Sequence, residues 1–324
     1  MRLVIGAISV LTLSVLFLII ISTLLSNYLS PPGRWQIKSV DTVKFSRDLA
    51  REKLHDPAFA EVVDSQVRAI ASLNPTHIAI STPYDDEFLP FLRLWVASAR
   101  KYHLKVWFRG NFSGWEGWFN YPKISRDDHK KLLNAFITSN SDLFEDGDIF
   151  TSCTECENGG PGDPRNVDLI GFRNFLISEK NLSDSAFNKI NKKVMTDLYP
   201  MNGEVAAVVM DPETTSRLGG IVTIDHYVNS PSKLRSDIEH LSSASRGLVM
   251  LGEFGLPVPE INGNMTASQQ SENLDNFLSS IFGMPRLTGI NYWVNSGGST
   301  ALWNNDGSPR PAIEVLKKYF NLIP

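Results

Sequence analysis

The chain of 324 residues contains only two cysteines, too few for a fold that is held together by disulfide bonds. It also lacks a basic excess, because 31 Lys and Arg stand against 35 Asp and Glu and leave a net charge of −4. A nucleic-acid partner is therefore not expected. Glycine and proline, at 22 and 18 residues, are used at ordinary levels, which excludes collagen-like and low-complexity chains.

Sequence motifs of several enzyme classes are missing as well. The six histidines are scattered and form no H-E-x-x-H pair, so no metal site is expected. No G-x-S-x-G motif points to a serine hydrolase. No G-x-G-x-x-G or Walker sequence follows the first predicted strand, which argues against a doubly wound nucleotide-binding sheet, the alternative fold.

The amino terminus carries the one long apolar run of the sequence. Residues 3–25 hold no charge, and a helix of that length spans roughly 35 Å, enough to cross a bilayer. A cleaved signal peptide has a shorter apolar core, about 7–15 residues, and a small-residue cleavage site, which is not seen here. We therefore predict a transmembrane anchor over residues 1–30, with a signal peptide and a secreted protein as the alternative. The domain over residues 31–324 is then expected outside the cytoplasm.

Short apolar runs alternate with longer amphipathic stretches after residue 34. This alternation predicts parallel strands joined by crossover helices, and eight such units fit a (β/α)8 barrel, which usually has about 250 residues. The predicted strands are Trp35–Phe45, His77–Ser81, Leu104–Phe108, Asp148–Ser152, Lys193–Leu198, Gly220–Ile224, Leu248–Leu251 and Thr288–Trp293. The predicted helices are Phe91–Tyr102, Leu132–Phe144, Ile170–Phe187, Lys233–Leu241, Gln269–Phe282 and Ala312–Tyr319.

Carboxylates follow two of these strands on opposite sides of the predicted barrel mouth, where such a barrel places its chemistry. Glu155 comes after strand four, and Glu253 comes after strand seven. Two carboxylates across a cleft lined by aromatic residues are what glycoside hydrolysis requires. One carboxyl group donates a proton to the leaving oxygen, and the other attacks the anomeric carbon. Aromatic rings offer flat apolar faces against which sugar rings stack.

This arrangement resembles that of the clan A glycoside hydrolases, which are retaining (β/α)8 enzymes. In that clan the acid/base Glu ends strand four, the nucleophile Glu ends strand seven, and an aromatic residue ends strand eight. Glu155, Glu253 and Trp293 match these positions. The resemblance implies a retaining glycosidase that acts on a β-linked carbohydrate by double displacement, with no metal or organic cofactor.

Within the clan, the nearest resemblance is to the family 113 β-mannanases, which implies mannan or a related polysaccharide as substrate. It depends on Thr154 before Glu155, on a Trp-rich loop after strand three, and on an Asp-x-Tyr-like end to strand six. Most of the clan has Asn where this chain has Thr154, so the residue that binds the sugar's 2-hydroxyl is left open. The residues expected to contact sugar or tune the carboxylates are Arg109, Trp115, Trp118, Glu157, Asn158, Asp225, His226, Tyr227 and Trp293.

Several alternatives stay open from the sequence. Glu157 competes with Glu155 for the acid role. The barrel is alternatively a non-catalytic glycan-binding protein, or a glycan transferase that uses the same two carboxylates. Cys153-x-x-Cys156 has the spacing of a redox motif, which would make the chain a membrane-tethered thiol oxidoreductase. A disulfide that stiffens the loop around Glu155 is the other explanation for the two cysteines.

Overall fold

The computed structural model describes residues 35–322 and confirms the predicted (β/α)8 barrel. Eight parallel strands form one sheet with the neighbour order β4-β3-β2-β1-β8-β7-β6-β5. The two ends of this sheet meet through Met195, which forms a parallel bridge with Ile149 of β4 and closes the barrel. The strands are β1 Ile37–Asp41, β2 His77–Ile80, β3 Lys105–Phe108, β4 Ile149–Phe150, β5 Met201–Asn202, β6 Ile221–Asp225, β7 Leu248–Phe254 and β8 Leu287–Tyr292.

Helices surround the strands, as the alternating sequence pattern predicts. The longer ones are Phe59–Ala71, Leu89–Lys101, Arg126–Ser139, Leu169–Lys189, Pro231–Ser245, Ala267–Ile281 and Ala312–Asn321. The shorter ones are Val43–Ser46, Ala50–Lys53, Ser113–Glu116, Gly203–Val209, Pro212–Arg217 and Pro259–Asn262, with 3-10 turns at Asp86–Phe88, Trp118–Asn120 and Ser141–Leu143. Helix Phe59–Ala71 is missing from the predicted elements, although its buried residues recur at helical spacing at Phe59, Val63, Val67 and Ile70.

Side-chain alternation along the strands separates two cores. In β3, Val106 and Phe108 pack outward against the helices, whereas Trp107 points into the barrel. Inside, the Trp107 indole nitrogen donates to Thr151 Oγ1 at 2.9 Å. The barrel interior is filled by Ile37, Ala79, Trp107, Ile149, Leu198, Ile221, Leu248 and Met250. A filled interior leaves only the mouth of the barrel for chemistry.

Most predicted strands differ from the structure by one to three residues at an end, and two differ by more. The first ends at Asp41 and not at Phe45, because Asp41 Oδ1 accepts a hydrogen bond from the Val43 amide at 2.7 Å and the chain turns into a helix there. The fifth was predicted at Lys193–Leu198, where only Met195 pairs with β4, and the strand that pairs with β6 is Met201–Asn202.

The predicted membrane anchor at residues 3–25 lies outside the described residues and stays a prediction. Across residues 35–322, no helix is both long and apolar enough to cross a bilayer. The boundary proposed at residue 30 likewise falls in the part of the chain that is not described.

We expect Gly289→Ala to destabilise the barrel by about 2 kcal/mol or more. Gly289 pairs with Ile37 of β1, and an added Cβ would overlap the Ile37 carbonyl oxygen, which as backbone cannot move aside. Gly307→Ala is the control, because a Cβ there meets nothing within 4 Å and carries only the strain of a φ of +81°. Urea unfolding of both variants measures the difference. Equal losses of stability would contradict the close packing of β1 against β8.

Candidate active site

The inward rows of the strands end in polar residues that meet around one guanidinium. Arg109 follows β3, is 2% exposed, and forms ion pairs with carboxylates from three other strands. The distances are 3.1 Å to Asp41, 3.0 Å to Asp225 and 2.8 Å to Glu253. Asn291 of β8 adds a hydrogen bond from its Nδ2 to Asp41 Oδ2 at 3.0 Å. Arg109, expected to contact sugar or tune the carboxylates, thus pairs with Glu253 within a larger network.

A break in strand register turns Glu253 toward this network. Leu251 pairs with Ile224, but Asp225 pairs with Glu253, so β7 carries one extra residue, Gly252. An extra residue in one strand re-aims the side chain that follows it. Gly252 is needed at this point, because a Cβ would come within 2.6 Å of Asp225 Oδ1.

Both carboxylate oxygens of Glu253 accept hydrogen bonds from fixed donors. Arg109 Nη1 donates to Oε1 at 2.8 Å, and the Tyr227 hydroxyl donates to Oε2 at 2.9 Å. Burial, together with the charges of Glu253 and Asp225, raises the pKa of Tyr227 well above its usual value, so its hydroxyl keeps its proton. The Glu253 side chain is 12% exposed and thus open to the mouth. The Tyr227 hydroxyl and Arg109 therefore each hold one oxygen of the Glu253 carboxylate.

Glu155 lies on a loop after β4 and not on the strand itself. Its backbone has a φ of +44°, and its amide donates to the Pro200 carbonyl oxygen at 2.9 Å. Cys153 and Cys156 form a disulfide bond that brackets it. The disulfide lies in irregular loop and not at the start of a helix, which is where a thioredoxin-like redox motif is found. This placement fits the stiffened loop and not the thiol oxidoreductase.

The surroundings of Glu155 differ from those of Glu253. Burial, and then the negative charge of Glu253, raise the pKa of Glu155 above its usual value, while Arg109 opposes this shift. One carboxylate oxygen from each of Glu155, Asp225 and Glu253 lies within 4.8 Å of the others. Three carboxylates at this spacing can also bind a cation, but Arg109 already pairs with two of them.

Glu157 occupies a different place from Glu155. It is 3% exposed, and its Oε1 accepts a hydrogen bond from the Asn202 amide at 2.7 Å. Burial raises its pKa to about 7. Asn158 is exposed on the loop, where its Nδ2 donates to Glu155 Oε1 at 3.3 Å. Glu157 thus ties the loop to β5, and it is Glu155 that faces Glu253.

Two residues predicted to contact sugar are turned away from the mouth. His226 lies just after β6, between the inward Asp225 and Tyr227, and it points outward and contacts Asp237 at 2.9 Å. Trp115 is 2% exposed, stacks on Phe175 with 5.0 Å between ring centroids, and donates from Nε1 to the Cys156 carbonyl oxygen at 3.1 Å. The expectation for both was wrong in this respect. Trp115 supports the disulfide loop and presents no free face.

The other two tryptophans that were predicted to contact sugar, Trp118 and Trp293, are partly exposed. Trp293 is half-buried after β8, its ring centroid 6.0 Å from that of Tyr227. Trp118 is half-buried and has the Arg47 guanidinium over its ring at 4.9 Å. Lys44 lies 5.6 Å from the Trp293 ring centroid. Both tryptophans therefore remain candidates for sugar contact.

Sequence reasoning missed three polar groups of the site. Asp41 was hidden by the overlong first strand, and Asn291 lies within the predicted strand Thr288–Trp293, where it was given no role. Glu116, at the end of helix Ser113–Glu116, accepts a hydrogen bond from Asn111 Nδ2. Burial raises the pKa of Glu116 to about 8, and the charge of Glu155 adds to this shift. The sequence signal that could have indicated Glu116 is the position of its carboxyl group between Trp115 and Trp118.

Known proteins match this chain in structure but not in sequence. No protein-family model matches it, and no curated protein matches it either. A GH5_18 protein of Streptomyces cattleya in complex with Manb1-4GlcNAc is 13% identical, with a TM-score of 0.66 over 91% of this chain and 82% of that one. GH5_18 from Bifidobacterium longum subsp. infantis is 14% identical, with a TM-score of 0.64 over 90% and 79%.

A β-D-glucuronidase of Dictyoglomus thermophilum is 12% identical, with a TM-score of 0.60 over 91% of this chain and 52% of that one. GH5 proteins are clan A glycoside hydrolases, so the structural neighbours agree with the clan-level resemblance. Family 113 is not among these three, and that finer assignment stays a prediction. Identities this low establish a shared fold and no more.

We expect the free energy of unfolding to fall by about 4–6 kcal/mol between pH 5 and pH 8. The pKa values of Glu116 and Glu157 are raised in the folded protein, so the folded state retains protons that the unfolded state has lost in this range. Glu116→Gln should remove part of this dependence, whereas Glu213→Gln on the exposed helix surface should not. Urea unfolding at several pH values tests this. An unchanged slope in Glu116→Gln would contradict it.

Replacing both Cys153 and Cys156 by Ser should lower stability by about 2 kcal/mol, as expected for a closed loop of about four residues. The bond also holds the Glu155 loop, so the loop should become more susceptible to proteolysis. Thermal unfolding with and without reductant provides the control. The parent should lose stability on reduction, and the double variant should not respond. A parent insensitive to reductant would argue against the bond.

Proposed function

We propose that this chain is a retaining glycosidase that acts on a β-linked glycan, with Glu155 as acid/base and Glu253 as nucleophile. The observation that carries the proposal is the spacing of these carboxylates, whose nearest oxygens lie within 4.8 Å. Retaining glycosidases hold their two carboxyl groups about 5–5.5 Å apart, whereas inverting enzymes need about 6.5–9.5 Å to admit a water molecule. The barrel fold shared with GH5_18 proteins supports the same class.

In this mechanism Glu155 protonates the glycosidic oxygen as its bond to the anomeric carbon breaks, and a carboxylate oxygen of Glu253 bonds to that carbon. Glu155, now ionised, then takes a proton from water, whose oxygen attacks the same carbon and releases Glu253. The raised pKa of Glu155 suits the first step. Arg109 and Tyr227 hold Glu253 in line, and Trp293 offers a face to the sugar. Neither step calls for a cofactor.

The substrate class is narrowed by what a structural neighbour binds. The Streptomyces cattleya protein is in complex with Manb1-4GlcNAc, so β-mannosides are the first candidates, in line with the mannan implied by the family 113 resemblance. The acceptor in the second step is water in a hydrolase and a sugar hydroxyl in a transferase. Product analysis with added acceptor sugar distinguishes the two.

We place the domain outside the cytoplasm, held by residues 1–30 as a membrane anchor. The supporting observation is the Cys153–Cys156 disulfide, because such bonds persist mainly in oxidising compartments. Fractionation of cells that express the full chain, followed by protease treatment of intact cells, tests this placement. Protection of the domain from protease would contradict it.

The decisive experiment traps the glycosyl-enzyme. The full-length chain is incubated with activated 2-fluoro β-glycosides of mannose, glucose and xylose, and its intact mass is measured. We expect a mass gain with one sugar that maps to Glu253 and is absent in Glu253→Gln. A folded protein with no gain and no turnover on any sugar would contradict catalysis and favour the non-catalytic glycan-binding barrel.

Kinetics on substrates with different leaving groups show whether Glu155 or Glu157 is the acid. Glu155→Ala should lower kcat about 10²–10⁴-fold on a substrate with a poor leaving group, and far less on one whose leaving group needs no proton. Glu157→Gln is the matched control from the same loop, and its loss should not depend on the leaving group. The opposite pattern would assign the acid role to Glu157.

A further inference from the structure

A third carboxyl group, that of Glu116, lies near Glu155 and has no part in the reaction described above. It is half-buried, and burial raises its pKa, with the charge of Glu155 adding to this shift and that of Arg47 opposing it. Its Oε1 accepts a hydrogen bond from Asn111 Nδ2. Its Oε2 has no hydrogen-bond partner within residues 35–322. One oxygen is therefore fixed, and the other is available to a ligand.

The backbone around Glu116 is fixed as well. At the start of helix Ser113–Glu116, the Ser113 amide and hydroxyl both donate to Asp85 Oδ2, at 2.9 and 2.6 Å. At its end, the Gly117 amide donates to the Ser113 carbonyl oxygen at 2.8 Å, and Gly117 has a φ of +75°. Because the backbone that carries Glu116 is fixed at both ends of this short helix, little further backbone entropy is lost when the side chain binds a ligand.

A row of buried polar side chains stands behind this glutamate. Asn111 Oδ1 lies 2.9 Å from His129 Nε2, and His129 Nδ1 lies 3.2 Å from Glu179 Oε2, with all three residues 0% exposed. Asn111 Oδ1 can only accept, so His129 Nε2 is the donor. The Asn111 amide is thereby fixed with Nδ2 toward Glu116. Through His129 and Glu179, the row connects helices Arg126–Ser139 and Leu169–Lys189 to Asn111 and, through Asn111, to Glu116.

The residue before Glu155 does not serve the substrate directly. Thr154 Oγ1 donates to the Arg109 carbonyl oxygen at 3.0 Å, so this side chain is turned toward β3 and is 6% exposed. Asn111 is fully buried and does not reach the mouth either. Neither residue therefore takes up a sugar hydroxyl beside the scissile bond, and Asn158 and Glu116 are polar side chains near Glu155 that remain open to one.

We propose that Glu116 is a substrate-binding residue whose Oε2 bonds a sugar hydroxyl beside Glu155, with Asn111, His129 and Glu179 as positioning residues. The inference rests on the proposed glycosidase function. Either protonation state of Glu116 can make the contact, because a carboxylate accepts from a hydroxyl and a carboxylic acid can also donate to one. The ligand is a polyol, and no charge on the sugar is required.

Monodeoxy substrates test the proposal. Kinetics are measured with the best aryl β-glycoside and its 2-, 3- and 6-deoxy analogues, on the full chain. Glu116→Ala should lower kcat/KM about tenfold or more on the parent sugar, and no more than about twofold on the one analogue that lacks the contacted hydroxyl. Equal losses on every analogue, or no loss at all, would overturn the proposal.

Further variants guard against a folding defect. Glu116→Gln keeps the size of the side chain and should show the same pattern across the analogues with a smaller loss. Glu179→Gln, far from the substrate, should reproduce the pattern if the buried row positions Glu116, whereas a purely structural role would lower kcat/KM equally on all sugars. Glu157→Gln is the matched control, with no preference among analogues. A parent without Glu253-dependent turnover would instead contradict the proposed function itself.

Discussion

The barrel mouth depends on one guanidinium. Arg109 is buried together with Asp41, Asp225 and Glu253, which come from three different strands. Removing charges from water costs several kcal/mol per ion, and the cation offsets part of this cost for all three carboxylates. Burial still outweighs Arg109 at Asp41 and Asp225, so the pKa of each is raised. The need for this pairing fixes the register of β1, β6 and β7 relative to β3, because a shift by one residue would leave a buried charge unpaired.

The two central glutamates, Glu155 and Glu253, lie on different kinds of structural element. Glu253 is on a strand, and both its oxygens accept hydrogen bonds from rigid donors. Glu155 is on a loop, and burial beside another carboxylate raises its pKa. Identical residues thereby lie in different environments, which is what the proposed pairing of a proton donor with a nucleophile requires. The disulfide and Trp115 support the loop that carries Glu155.

Much of this could be predicted from the sequence, because strand ends are visible as the points where apolar runs stop. Glu253, Arg109 and Tyr227 were placed correctly for that reason. The period of two along β6 would have excluded His226 from the mouth, had the alternation been applied past the end of the strand. Trp115 could not be judged, because burial of a loop tryptophan depends on contacts such as that with Phe175, which are remote in sequence.

The backbone of Glu155 has a left-handed conformation, with a φ of +44°. Residues other than glycine and asparagine adopt such a conformation at a cost, about 1–3 kcal/mol where the surroundings impose it. The carboxyl group of Glu155 is thus presented by a main-chain conformation that glutamate disfavours. A glycine or asparagine there would give up the carboxyl group and relieve this cost, so such variants are suited to crystallising the proposed glycosidase with intact substrate.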